Sequence, residues 1–233
     1  MEEEKSKINM MDMLKAGVHF GHKKSKKHPK MDEYVFGVRN GISIIDLGKT
    51  KSKLVEAADF AKKISGNGGT ILFVGTKRQA GKIVEAAAKK CDMPYVSERW
   101  LGGTFTNFDK ILIGKKRLES LLAQKESGEL AQKYTKKEVR EIEREMKRLE
   151  IKFGGIMKMN KIPDAVFVVD VIEEQTAVLE AVAKRVPIIA VADTNADPSR
   201  IAYPVPANDD AIRSIELVTN VIAEAVCEGQ KKA

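Results

Sequence analysis

The sequence predicts an α/β protein built on a doubly wound parallel sheet, and three observations carry that prediction. Short all-apolar runs, such as residues 165–169 and 186–192, have the look of strands buried on both faces. Segments of helical length with a recurring apolar face alternate with them. Between the third and fourth strands lies a charged stretch too long for one crossover helix, which marks an insertion.

In chain order, strands are expected at residues 42–45, 70–74, 95–97, 165–169 and 188–191. Helices are expected at 49–64, 78–90, 173–184 and 209–227, each with Ala, Val, Ile or Leu on one face. Right-handed crossovers join these into one sheet. The insertion, residues 106–156, reads as an antiparallel helical hairpin. In its second arm Val139, Ile142, Met146, Leu149 and Phe153 follow the three-four spacing of a coiled-coil seam. In the first, Phe108, Ile111, Lys115, Leu118 and Leu122 repeat it, with one Lys interrupting. Ser127-Gly128-Glu129 connects the arms, and Thr135 three residues before Glu138 reads as a capping box. Such a hairpin would zip together and protrude from the sheet. Residues 109–153 hold 13 basic and 9 acidic groups. Its charged faces are either solvated or grip RNA or protein, with Lys115, Lys116, Arg117, Lys136, Lys137 and Arg140 as the candidate contacts.

A chain of 233 residues with 43% hydrophobic and 32% charged residues is long enough for a real core and excludes a fibre or a tail. It reads as one α/β domain over residues 1–233, with residues 1–40 as a basic arm. No apolar run approaches the roughly 20 residues of a membrane span. The acidic start Met1-Glu2-Glu3-Glu4-Lys5 lacks the basic region of an export signal, so a cytoplasmic protein without a membrane is expected. Cys91 and Cys227 stand apart with no ligand-spaced partner, which points to reduced thiols.

Charge is the strongest functional signal. The formal net charge is +8, but residues 1–153 carry +12 and residues 154–233 carry −4. Residues 15–30 are the densest part: Lys15, Lys23, Lys24, Lys26, Lys27 and Lys30, all three histidines (His19, His22, His28), and no carboxylate. Such a cluster releases counterions from a polyanion, which makes nucleic acid the leading partner class. Phe20 between Gly17 and Gly21 suggests a shaped segment able to stack on a base or pack close to a backbone, rather than a bare solvated run. Burying so many cations against RNA predicts that the free arm is disordered.

Ligands of open α/β sheets bind beyond the carboxyl ends of the strands. After the second strand, residues 75–83 approach a phosphate-binding loop but miss its spacing, and Ile83 follows Lys82 where magnesium would need Ser or Thr. Lys77, Arg78 and Lys82, with Thr76, read better as a helix amino terminus that contacts phosphate backbone. After the third strand come Arg99, Trp100, Gly102, Gly103, Thr104 and Asn107, a loop able to face RNA. Trp100 has two readings, buried against a glycine turn or stacked on a base. Asp193 and Asp209, with His19 or His22, are weak metal candidates beside the plainer reading of turns and caps. No nucleophilic triad is indicated, so no enzyme and no cofactor or small-molecule substrate are expected. The rivals are a small phosphate- or nucleotide-handling α/β enzyme and a pure protein adaptor.

Read together, these segments resemble the bacterial small-subunit ribosomal protein two family. The resemblance runs through Leu14-Lys15-Ala16-Gly17-Val18-His19-Phe20-Gly21-His22, Pro29-Lys30-Met31, Tyr34, Phe36 and Arg39-Asn40-Gly41. It continues with Ile44-Ile45-Asp46-Leu47-Gly48-Lys49-Thr50, Phe73-Val74-Gly75-Thr76-Lys77 and Arg99-Trp100-Leu101-Gly102-Gly103. Leu149-Glu150, Gly154-Gly155-Ile156, Pro163-Asp164-Ala165, Asp193-Thr194-Asn195, Asp197-Pro198, Pro206 and Asn208-Asp209-Asp210-Ala211 complete it. Ser97-Glu98 and Phe105 depart from it locally. The resemblance implies a flavodoxin-like parallel sheet with a protruding coiled-coil hairpin and no enzymatic activity. It further implies binding to small-subunit rRNA beside other small-subunit proteins, and a part in docking the mRNA-binding ribosomal protein one.

Overall fold

The computed structural model describes residues 9–231. The acidic start at Met1 to Lys5 lies outside them. Eight strands and eight helices are described: β1 Phe20–Lys23, β2 Val35–Arg39, β3 Ile42–Ile45, β4 Ile71–Val74, β5 Tyr95–Val96, β6 Ala165–Val169, β7 Ile188–Ala192 and β8 Tyr203–Pro206, with α1 Met10–Ala16, α2 Leu47–Gly66, α3 Gly81–Lys90, α4 Phe108–Glu126, α5 Glu129–Lys133, α6 Lys136–Phe153, α7 Gln175–Ala183 and α8 Ile212–Gln230. Among the described residues, no helix is long and apolar enough to cross a membrane.

The main sheet is parallel and five-stranded, in the order β5-β4-β6-β7-β8. Counted along the chain this is 2-1-3-4-5, the flavodoxin-like doubly wound order, with its switch point between β4 and β6. Ile71, Phe73, Phe167 and Val169 face one core, closed by Leu54 and Ala61 of α2, Val84 of α3 and Ile222 of α8. The alternate residues Leu72, Val74, Val166 and Val168 face the other, closed by Val178 of α7, Ile111 and Leu118 of α4 and Phe153 of α6. Burial on both faces explains why β4, β6 and β7 read as unbroken apolar runs.

Two strand expectations need correction. The segment at 42–45 does not enter the parallel sheet; it is the centre of a separate antiparallel sheet, β1-β3-β2. The cause is local: Asn40 (φ 50°) and Gly41 (φ 76°) both take the left-handed conformation of a two-residue hairpin, which folds β3 back onto β2. The fifth parallel strand is β8, whose Pro204 and Pro206 hid it. It lies at the sheet's edge, where a missing N–H is tolerated. The expectation of a disordered arm is also overturned for residues 9–40, which form α1, β1 and β2 and dock on the domain. Thr194 Oγ1 accepts from His22 N at 2.9 Å, and Thr194 O accepts from His28 N at 2.8 Å.

The insertion holds α4 and α6 side by side, with the short α5 between. Arg117 pairs with Glu145 at 3.1 Å, and Leu121, Leu130 and Met146 form a small apolar core at the far end. Gly114 lets the helices approach: a Cβ there would stand 2.4 Å from Phe153 Cζ. Thr135 and Glu138 form a reciprocal capping box that opens α6.

Candidate nucleic-acid interface

On the arm, residues 15–30 present exposed cations in a stretch without a carboxylate. The left-handed Gly17 (φ 76°) stops α1 and turns the chain into β1, so Lys15 and Lys23 flank a short folded corner. Lys15, Lys23, Lys24 and Lys26 are exposed and, among the described residues, make no ion pair. Lys27 is engaged by Asp32, and Lys30 by Asp197 at 3.3 Å. With Ser199 and Lys30 donating to it, the Asp197 carboxyl is lowered to about 2. Phe20 is exposed with its ring 4.0 Å from that of His19, while His22 turns inward and reaches Asp193 at 3.1 Å. Hydrogen bonding to Asp193 raises the His22 pKa against the opposing effect of burial.

The crevice at the switch point is closed by the protein's own charges. Lys77 Nζ lies 2.9 Å from Asp170, 3.0 Å from Asp209 and 2.6 Å from Asp210. The Glu174 carboxylate accepts from Thr76 N, the backbone donor a phosphate would need. Burial, reinforced by Asp170 and Asp193, raises Asp209 to about 7 despite Lys77. Burial alone would lower Lys77, but hydrogen bonds to Asp210 and Asp170 outweigh it and raise its pKa. Lys77 is thus corrected from a phosphate contact to the cation of a carboxylate cage in which Asp170 and Asp209 are buried, while Arg78 and Lys82 remain exposed. An anionic crevice of this kind repels the phosphates of a nucleotide.

The metal candidates also change. His22, not His19, joins Asp193 and Asp209, with ligand atoms within 4.8 Å of one another. The ammonium of Lys77 already supplies a cation to the same Asp209. His19 stands outside the group, its Nδ1 buried without a partner.

The loop after β5 is divided. Arg99 and Asn107 are exposed, but Trp100 and Thr104 are buried, which corrects their reading as RNA contacts. Trp100 Nε1 donates to Glu180 at 3.1 Å, and the Thr104 hydroxyl donates to Leu101 O at 2.6 Å. Glu180 also accepts from the backbone of Gly103, Phe105 and Thr106 and from the Thr106 hydroxyl. Burial raises its pKa, but these bonds outweigh it and hold the carboxyl below its ordinary value. Glu180 and Glu174 were missed because a Glu in a helical pattern reads as solvated; for Glu180 the Gly102-Gly103 turn was the signal available.

On the hairpin, Lys116, Lys136, Lys137 and Arg140 are exposed, and Arg117 is exposed but paired with Glu145. Lys115 is corrected: it is 4% exposed, and its Nζ donates to Met159 O at 3.2 Å and Asn160 Oδ1 at 2.6 Å. The lysine that interrupts the seam is therefore a buried seam residue whose ammonium finds its acceptors on Met159 and Asn160.

A family model described as Ribosomal protein S2 matches residues 13–229. A protein of Fusobacterium nucleatum subsp. nucleatum, the small ribosomal subunit protein uS2, is 46% identical over 226 residues, which cover 97% of this chain and 92% of that relative. A likeness that runs from the arm through the hairpin to the last helix shows that the chain belongs to the ribosomal protein S2 family.

Proposed function

We propose that the chain is a structural constituent of the small ribosomal subunit that binds rRNA and supports translation in the cytoplasm, without catalysis of its own. The observation that carries this is the set of exposed cations on the folded arm, Lys15, Lys23, Lys24 and Lys26, which make no ion pair among the described residues and lie in a segment, residues 15–30, without a carboxylate. Such a surface neutralises phosphates and positions a protein on RNA without reading its sequence. Arg78, Lys82, Arg99 and Asn107 extend it along the loops, and Lys116, Lys136, Lys137 and Arg140 along a coiled-coil hairpin that contacts RNA or a neighbouring protein. Through those contacts the chain helps dock ribosomal protein one. The enzyme reading loses ground to Glu174, whose carboxylate takes the Thr76 N–H that a phosphate would need, and to Asp170 and Asp209, which engage Lys77.

The test is sedimentation of a cell lysate at low and high salt with the protein followed by immunoblot. Co-migration with the small subunit that weakens as salt rises is expected. Persistence in the soluble fractions at every salt concentration would contradict the reading.

A further inference from the structure

The outer face of the small sheet β1-β3-β2 has a use that rRNA binding by lysines alone does not explain. Cross-strand partners in an antiparallel pair point to the same face. Phe20 opposes Ile44, which opposes Gly37; Lys23 opposes Ile42, which opposes Arg39. The first row is flat and apolar, and the second sets one cation on each side of an isoleucine. Two residues of rise separate the rows by about 7 Å. On the opposite face Ser43 and Ile45 are buried and Gly21 lies against Thr194, while Val38, the partner of Ser43 on the outer strand, is exposed.

This face is open. Phe20 is 47% exposed and Ile42 37%, and nothing lies within 4 Å of where a Cβ on Gly37 would stand. Lys23 and Arg39 are exposed, and neither is ion-paired among the described residues. The thirteen residues of the three strands include no Asp or Glu. The nearby carboxylates are already engaged: Asp193 by His22, and Asp210 by Lys77. Phe20 is also fixed before any ligand arrives. Its N–H donates to Gly17 O at 3.2 Å, its carbonyl accepts from Asn208 Nδ2 at 2.6 Å, and one side of its ring rests on His19. A rigid, exposed aromatic ring costs little entropy to use.

We propose that this face is a stacking platform for single-stranded RNA, with an unpaired base on Phe20 above Ile44 and Gly37 and the adjoining phosphates on Lys23 and Arg39. The inference rests on the RNA-binding reading and specifies its ligand. A duplex keeps its bases stacked on one another and offers none to a lone ring, whereas a splayed strand offers both base faces and backbone. Charge complementarity favours RNA over an apolar protein surface, because a protein partner would leave Lys23 and Arg39 without counterions on either side of the contact.

The test uses the full chain and two labelled probes, a ten-nucleotide oligoadenylate and an RNA hairpin of matched charge whose loop is replaced by a linker without bases, read by fluorescence anisotropy across salt concentrations. Phe20→Leu is expected to weaken oligoadenylate binding about tenfold and to leave hairpin binding unchanged. Phe20→Trp is expected to keep the affinity, with the new indole's emission quenched on binding. The double variant Lys23→Gln, Arg39→Gln is expected to lower the salt slope for the oligonucleotide by about 1.4. Equal binding of oligoadenylate by wild type and Phe20→Leu, or unquenched emission from bound Phe20→Trp, would overturn the platform while RNA binding stands. Loss of a protein partner by Phe20→Leu with both probes unaffected would overturn it in favour of a protein contact. Failure of the wild type to bind either probe would overturn the RNA-binding reading itself.

Discussion

Trp100 Nε1 lies 3.1 Å from Glu180 Oε1, so the indole of the loop after β5 is tied to a buried carboxylate on α7. The same carboxylate collects the N–H groups of Gly103, Phe105 and Thr106, and this one side chain sets the shape of the loop. Glu180→Ala leaves those donors without a partner and is expected to cost about 3 kcal/mol. Urea unfolding followed by Trp100 fluorescence would measure it. Because the folded-state pKa lies below the ordinary 4.5, the stabilisation is present above that value and is lost as pH falls through the folded one. Glu180→Ala should flatten that acid limb.

Removing Lys77 strips the cage of its cation. Lys77→Met is expected to destabilise the fold by about 3–5 kcal/mol at pH 8, above the value of about 7 that Asp209 has with Lys77 beside it. Lys77 holds the Asp209 pKa down, so without it Asp209 takes up a proton above about 7, and the penalty should shrink as pH falls towards that value. Adding Asp209→Asn should recover part of the loss. Thermal unfolding at pH 6 and pH 8 checks both expectations.

The His22 contact predicts a pH-dependent arm. Its folded-state pKa lies above the ordinary 6.5, so its stabilisation is full below 6.5 and is lost as pH rises through the folded value. Hydrogen exchange at residues 20–23, corrected for the intrinsic rate, should therefore quicken as pH rises from 6 to 8. His22→Ala should remove the dependence.

In the hairpin, Lys115→Ala removes a buried stem and two hydrogen bonds and is expected to cost about 2 kcal/mol or more. Lys115→Met, which keeps the volume, should cost less. Gly114→Ala places a methyl against the Phe153 ring and should destabilise by about 1–3 kcal/mol. Chemical denaturation of the full chain ranks the three.

Periodicity carried the parallel core well because β4, β6 and β7 are buried on both faces, and burial of that kind leaves apolar runs that need no partner to be recognised. It failed at the small sheet, where Phe36 and Val38 are exposed apolar residues and the pairing depends on the Asn40-Gly41 turn. It failed at β8 because two prolines speak against a strand unless its edge position is known. For the site, charge density found the arm, but partners distant in sequence decided which cations are free. Asp170, Asp209 and Asp210 claim Lys77 across more than 90 residues, and Met159 and Asn160 claim Lys115. Only the three-dimensional arrangement separates those from Lys15, Lys23, Lys24 and Lys26.

The most direct test of the central claim is the salt dependence of binding to purified small-subunit rRNA, wild type against a variant with Lys15, Lys23, Lys24 and Lys26 all changed to Gln. The account predicts weaker binding at every salt concentration and a slope of log affinity against log salt shallower by about 3–4. An unchanged slope, with the variant folded as the wild type, would contradict it.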